Sequence, residues 1–156
     1  MFEALQAEAQ FTHLLQGFAT PALDSFFIVI THLGNPLLWM ALSAFLFWKG
    51  DEKKSFFLAT AILFISALVG VLKPLIGRAR PPIEDFRVLA LEIDSPYALP
   101  SGHAGTIGSV FGYYWEKFAN TARFAGIIIV VLVLASRVYL GAHYIGDVLL
   151  GVLFGF

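Results

Sequence analysis

Long apolar runs separated by short polar breaks make up most of the chain. A helix needs roughly 20 apolar residues to cross about 30 Å of hydrocarbon. The run from Phe26 to Trp48 meets that length, and Gly34-Asn35-Pro36 inside it predicts a kink or a break. Phe56 to Ile76 is the cleanest run, bounded by Lys53 and Lys54 before it and Arg78 after it. Gly102 to Phe118 is shorter and closes on Trp115, Glu116 and Lys117, and Phe124 to Leu140 is dense in Ile, Val and Leu. Tyr144 to Phe156 starts a fifth span but offers 13 residues, about 20 Å of helix, so the native chain is expected to continue. Residues 1–25 scatter Glu3, Glu8, Asp24 and glutamines among Ala, Leu and Phe. That pattern predicts an amphipathic helix lying on the membrane surface, with Pro21 turning the chain into the first span. A sixth, weakly apolar span is the alternative reading of the same segment. Arg78 to Leu99, with its prolines and mixed charges, reads as an ordered external loop. The pattern predicts an all-α fold: a polytopic transmembrane helical bundle of about five spans, plus the N-terminal interfacial helix, in one membrane-embedded domain over residues 1–156.

Composition supports this and narrows the partners. The chain is 58% hydrophobic and 13% charged, with a mean hydropathy of +0.79, whereas soluble domains average about 25% charged residues. A net charge of -1, with no basic tail or basic helix face, argues against a nucleic-acid partner. Disulfides and thiolate metal sites are excluded because the chain has no cysteine. The N-terminus lacks the basic region and cleavage site of a signal peptide, so the spans themselves are expected to direct insertion.

Alternating the spans puts Lys49, Lys53, Lys54, Lys117 and Arg123 on one side, and Lys73, Arg78, Arg80, Arg87 and Arg137 on the other. The count ties until Lys73, Arg80 and Arg137 are set aside as site residues. The first set then predicts the cytoplasmic side, and the site faces outward. Trp48 and Trp115 would sit in the inner aromatic belt.

Three stretches place ionisable groups at the ends of apolar runs, where they are expensive and a functional role is the default reading. Lys73 to Pro81 (KPLIGRARP) holds Lys73 and Arg80 seven apart, with Pro81-Pro82 stiffening the chain beside a planar, bidentate oxyanion donor. Lys73 alone reads equally well as a snorkelling cation, and Arg78 and Arg87 read as loop or headgroup charges. Pro100 to His103 (PSGH) reads as a helix N-terminus, where free amides and the helix dipole favour an anion and Gly102 lets an oxygen approach the backbone. An ordinary cap would explain Ser101 but not the adjacent His103. In the third stretch, Ser136 to Asp147, Arg137 precedes His143 and Asp147, which lie four apart and share one helix face. A carboxylate on one ring nitrogen fixes the tautomer and leaves the other as a directed nucleophile or base. A polar pair joining two helices is the bland alternative, and it loses ground once Arg137 is counted. Gly141 and Gly146 are expected to let the chain turn and the helices approach. Two histidines and one aspartate make an unattractive metal site, and four phosphate-binding positions make a metal unnecessary. Outside the motifs, His13 reads as an interfacial surface residue and His32, inside the first span with Thr31, as a structural hydrogen-bonding group, with lining the pocket as the alternative.

With these residues in view, the chain resembles the type-2 phosphatidic acid phosphatase superfamily. Lys73, Arg80 and Pro81 fit its first motif, Pro100 to His103 the second, and Ser136, Arg137, His143 and Asp147 the third, over roughly the half of the chain from Lys73 to Asp147. No signature position departs from the pattern. Family members usually complete the last span, and many have six. The resemblance implies a phosphomonoesterase or diphosphatase that needs no metal or other cofactor and works through a phosphohistidine. In it His143 attacks phosphorus, Asp147 orients His143, and Lys73, Arg80, Ser101, Gly102 and Arg137 hold the phosphate oxygens. His103 protonates the leaving oxygen and then activates water.

A phosphate site beside lipid favours a phosphorylated lipid as partner: undecaprenyl diphosphate, phosphatidylglycerophosphate, phosphatidic acid or the lipid A 1-phosphate. The expected location is a bacterial inner membrane with the site toward the periplasm, and oligomeric state is left open. Glu84, Asp85, Arg87, Glu92 and Asp94 in the loop are expected to set headgroup choice. A lipid phosphotransferase would use the same residues and differ in its acceptor. Haloperoxidases that use vanadate share the motifs but are soluble, which the spans oppose. A lipid-binding or transport protein of the same fold would have no need of His103 and His143, and no broken half-helix repeat supports it.

Overall fold

The computed structural model describes residues 5–90, 93 and 95–156. Glu3, Glu92 and Asp94, named above, lie outside the described residues. The chain forms α1 (Gln6–Gln16), α2 (Pro21–Thr31), a 3₁₀ turn (His32–Gly34), α3 (Pro36–Trp48), α4 (Glu52–Ile76), α5 (Gly102–Tyr114), α6 (Asn120–Tyr139) and α7 (Ile145–Gly155). The fold is the expected helical membrane bundle. Among the described residues, only α4 and α6 are individually long and apolar enough to cross a bilayer, while α3 and α7 are shorter apolar helices.

Local chemistry explains the boundaries. Thr20 Oγ1 accepts from the Leu23 amide and Asn35 Oδ1 from the Leu37 amide, each followed by a proline at the first helical position. The predicted break at Gly34-Asn35-Pro36 is present, and it divides the Phe26–Trp48 run into α2 and α3. Helix α4 stops at Gly77, whose φ of +65° is the left-handed cap that glycine supplies without strain.

One face of α4, Leu58, Ile62, Ile65 and Val69, is buried, whereas Phe56, Phe57, Leu63 and Phe64 on the rest of its surface are exposed. Lipid tails are as apolar as these side chains, so close packing and interhelical hydrogen bonds must hold the helices together. Two devices supply that cohesion. Ser43 Oγ donates to the Ser55 carbonyl at 2.8 Å and Ser55 Oγ to the Ser43 carbonyl at 2.8 Å, a buried clasp between α3 and α4. Glycines join α5 to α7: a Cβ at Gly108 would stand 2.7 Å from the Val152 carbonyl oxygen, and one at Gly155 only 2.1 Å from that of Gly105. This seam brings the start of α5 beside the start of α7, and the Ser101 amide donates to the Asp147 carbonyl at 3.0 Å.

The N-terminal helix is amphipathic as expected, but its polar stripe faces the protein. Glu8, Thr12 and Gln16, one turn apart, are buried, while Leu5, Phe11 and Leu14 are exposed. Gln16 Nε2 donates to the carbonyls of Arg87 and Tyr139, and Gln16 Oε1 accepts from the Arg87 amide. His13 stays exposed and stacks on Phe86 with ring centroids 4.4 Å apart. In this way α1 binds the loop after α4, the end of α6 and the start of α7.

Candidate active site

The C-terminal end of α4, the N-terminal end of α5 and the connection from α6 to α7 meet around a cavity of about 630 Å³. Lys73, Gly102, His103 and His143 line it, together with Ser95 and Thr106. The α2–α3 break reaches the same place, contributing Asn35, Pro36 and Leu37. Gly34 is required there, because a Cβ would come within 2.9 Å of the His103 Cβ. The sequence marked the break but not its position as a cavity wall.

His143 sits in the α6–α7 connection, 2% exposed. Gly141, with a φ of +72°, makes the preceding turn, and a Cβ there would meet the Arg87 carbonyl oxygen at 2.4 Å. His143 Nδ1 faces Asp147 Oδ2 at 3.5 Å, the i, i+4 relation read from the sequence. Its Nε2 lies 3.4 Å from Arg80 Nη1. The second carboxylate role of Asp147 is structural, since Oδ2 also accepts from the Tyr144 amide at 2.8 Å and caps α7. Burial, reinforced by the cations of Arg137, Arg80 and Lys73, pushes the His143 imidazole well below the usual histidine range. A neutral ring results, which keeps a nitrogen lone pair available.

Arg80 is fixed from two sides: Nε donates to the Ser95 carbonyl and Nη1 to the Ala142 carbonyl, both at 2.7 Å. Beside it the two ends of the loop after α4 are joined by the Ala79–Tyr97 bridge and by the Ala98 amide donating to the Arg78 carbonyl at 2.7 Å. Arg137 is buried at the end of α6 and donates from Nη1 to Thr31 Oγ1 at 2.9 Å. Ser101 precedes α5, yet its hydroxyl makes no capping hydrogen bond and is buried without a hydrogen-bond partner among the described residues. A plain cap therefore does not account for Ser101. Of the eight residues singled out in the sequence, Lys73, Gly102, His103 and His143 line the cavity, Arg80 contacts His143, and Ser101, Arg137 and Asp147 are buried behind it. His32 is exposed and lines a separate small recess with Thr31 and Arg137.

One residue reads differently from the sequence. Arg78 is no surface loop or headgroup charge: it is 6% exposed, with Nη1 3.0 Å from Asp147 Oδ1 and Nη2 bonded to Glu8. Arg87 is an exposed loop charge, as read from the sequence, and pairs with Asp24 at 2.9 Å. A signal for Glu8 existed in the i, i+4, i+8 spacing of Glu8, Thr12 and Gln16. A polar stripe shows that a helix has two faces, but not which face meets protein.

A family model described as the PAP2 superfamily matches residues 54–156. The lipid A 1-phosphatase of Rhizobium etli is 36% identical over 104 residues, covering 64% of this chain and 44% of that protein. The lipid A 4'-phosphatase of Porphyromonas gingivalis is 29% identical over 164 aligned residues, covering 97% of this chain and 69% of the relative. The chain thus spans less than half the length of the Rhizobium relatives it matches. Among solved structures, the PAP2-type phosphatidylglycerolphosphate phosphatase of Bacillus subtilis superposes with a TM-score of 0.77 at 28% identity, over 95% of this chain and 81% of that one. LpxE of Aquifex aeolicus gives a TM-score of 0.84 at 25% identity, over 99% of this chain and 93% of that one. Motifs, family model and fold agree, and the chain belongs to the PAP2 superfamily.

Proposed function

We propose that this protein is a membrane lipid phosphatase that removes a phosphate from a phosphorylated lipid through a phosphohistidine at His143, without a metal. The observation that carries the reading is the setting of one buried imidazole. Asp147 backs its Nδ1 at 3.5 Å, Arg80 stands 3.4 Å from its Nε2, and Lys73, Gly102 and His103 share its cavity.

In the reaction, His143 Nε2 attacks phosphorus and the bond to the lipid oxygen breaks. His103 gives its proton to that leaving oxygen. His103 then takes a proton from water as the water attacks the phosphohistidine, releasing inorganic phosphate and restoring His143. Lys73, Arg80, Arg137, the Ser101 hydroxyl and the Gly102 amide stabilise the charge that builds on the equatorial oxygens.

The cavity wall favours a lipid. Pro36, Leu37, Val69 and Gly70 line it beside Lys73, so an acyl chain can lie on α3 and α4 while the phosphate reaches the histidines. Lipid A 1-phosphate is the first substrate to assay, because two Rhizobium relatives carry that activity in their names. Undecaprenyl diphosphate, phosphatidylglycerophosphate and phosphatidic acid complete the set. The lysines of the opposite loops support an orientation with the cavity outward, in a bacterial inner membrane on this reading. Purified protein in detergent with EDTA should release inorganic phosphate from at least one of these lipids. A strict need for a divalent metal, or no release from any of the four, would overturn the proposal.

A further inference from the structure

The strongest feature outside the motif residues is a buried chain of charges that begins in the N-terminal helix and ends at the site. Glu8 uses both carboxylate oxygens. Oε1 accepts from the Gly146 amide at 3.0 Å, while Oε2 accepts from the Leu5 amide at 2.9 Å and from Arg78 Nη2. Arg78 turns its other nitrogen to Asp147 Oδ1 at 3.0 Å, and its guanidinium carbon lies 5.3 Å from the centre of the Tyr144 ring. Asp147 in turn faces His143. Glu8, Arg78 and Asp147 have side chains only 9%, 7% and 0% exposed. Gly146 admits the Glu8 carboxylate: a Cβ there would sit 2.6 Å from Oε1 and 3.2 Å from Arg78 Nη1.

Such an arrangement is costly unless each charge is matched, because an ion stranded in a low-dielectric site has no water to screen it. The expense falls one residue away from the nucleophile, and the chain segment that bears it, α1, supplies none of the motif residues. We propose that Glu8 and Arg78 are positioning residues of the catalytic centre, forming with Asp147 a carboxylate–guanidinium–carboxylate relay through which the N-terminal helix holds the partner of His143. Arg78 fixes the Asp147 oxygen that does not face the ring, and so aims the other at Nδ1. Glu8 anchors Arg78 and caps α7 from outside, fixing the helix that carries Asp147. The proposal rests on the reading of His143 as nucleophile.

A purely structural part for these residues and an electrostatic one differ in their signs. The charged and titratable groups around His143 are Asp147 on α7, Arg137 on α6, Lys73 on α4, His103 on α5, and Arg80 and Arg78 from the loop, with Glu8 of α1 beyond. Removing the Arg78 cation leaves Asp147 less neutralised, so His143 holds a proton to higher pH. Removing the Glu8 anion leaves Arg78 to act more fully on Asp147, so His143 loses its proton at lower pH. Activity requires the neutral ring.

The test measures kcat and KM against pH, in detergent micelles with a lipid phosphate, for the wild type, Glu8→Gln, Arg78→Met, Arg78→Lys and His143→Ala. The acid limb of kcat/KM should move up by about one pH unit in Arg78→Met and down by a smaller amount in Glu8→Gln. In both, kcat should fall roughly 10- to 100-fold, the scale of a misplaced catalytic group, with KM little changed. Arg78→Lys keeps the charge, and should restore the position of the limb and part of kcat. Glu8→Gln keeps the shape and can still accept from Gly146, so it reports on charge even if Arg78→Met folds poorly. Limbs that stay in place, or move the same way in both variants, would overturn the relay while His143→Ala stays inactive. Turnover by His143→Ala would instead sink the reading of the nucleophile on which the relay rests.

Discussion

Among the described residues, two arginine–carboxylate contacts tie the N-terminal segment to the rest of the molecule, and their settings are opposite. Arg87 meets Asp24 at 2.9 Å, with side chains 44% and 21% exposed, so water and salt compete for both partners. Arg78 lies between Glu8 and Asp147, where almost no solvent reaches. The outer pair also holds Tyr139, whose hydroxyl donates to Asp24 at 2.6 Å. The inner set ends on the partner of His143. The same chemistry is therefore a surface latch in one place and part of the site's framework in the other. What separates them is the dielectric around the charges and the residue at the end of the chain of contacts.

The largest effect should come from the end of the inner set. His143→Ala should lower kcat by orders of magnitude, as removal of a nucleophile does, whereas His32→Ala, at an exposed position, should leave most activity. Steady-state phosphate release measures both, and comparable losses would erase the distinction between cavity and rim. Arg78→Met comes next. It strands Glu8 and Asp147 and should destabilise the fold by about 3–5 kcal/mol, read as a lowered thermal midpoint in detergent. A smaller loss, of about 1–3 kcal/mol, is expected for Gly108→Ala, whose new methyl group must push against the Val152 carbonyl at 2.7 Å and spread α5 from α7. Because that seam sets Ser101 beside Asp147, kcat should fall along with the midpoint. The smallest effect belongs to Arg87→Gln, which should change neither the midpoint nor kcat measurably. Were it to match Arg78→Met, burial would not be the difference between the two contacts.

The motif residues were legible because an apolar chain leaves few reasons for a cation or imidazole at a helix end. Lys73, Arg80, His103, Arg137, His143 and Asp147 stand out against what surrounds them. The α2–α3 break was legible in Gly34-Asn35-Pro36, and the left-handed turn in Gly141. The destination of each polar face was not. Glu8 and Arg78 each look like a surface charge when taken alone, and only the fold shows that residues seventy positions apart share one buried bond. The α5–α7 seam was hidden for a similar reason. Small residues mark a surface that permits close approach, but the partner helix is fixed by the path of the chain.

Rapid quenching of the enzyme with a radiolabelled lipid phosphate, followed by peptide mapping, tests the central claim most directly. A phosphohistidine is stable to base and labile to acid, and should be found on His143 alone. In His103→Ala, which lacks both the acid for the leaving oxygen and the base for hydrolysis, it should form slowly and, once formed, clear slowly, and it should be missing from His143→Ala. Label on any other residue, or turnover with no labelled enzyme at any time, would contradict the account.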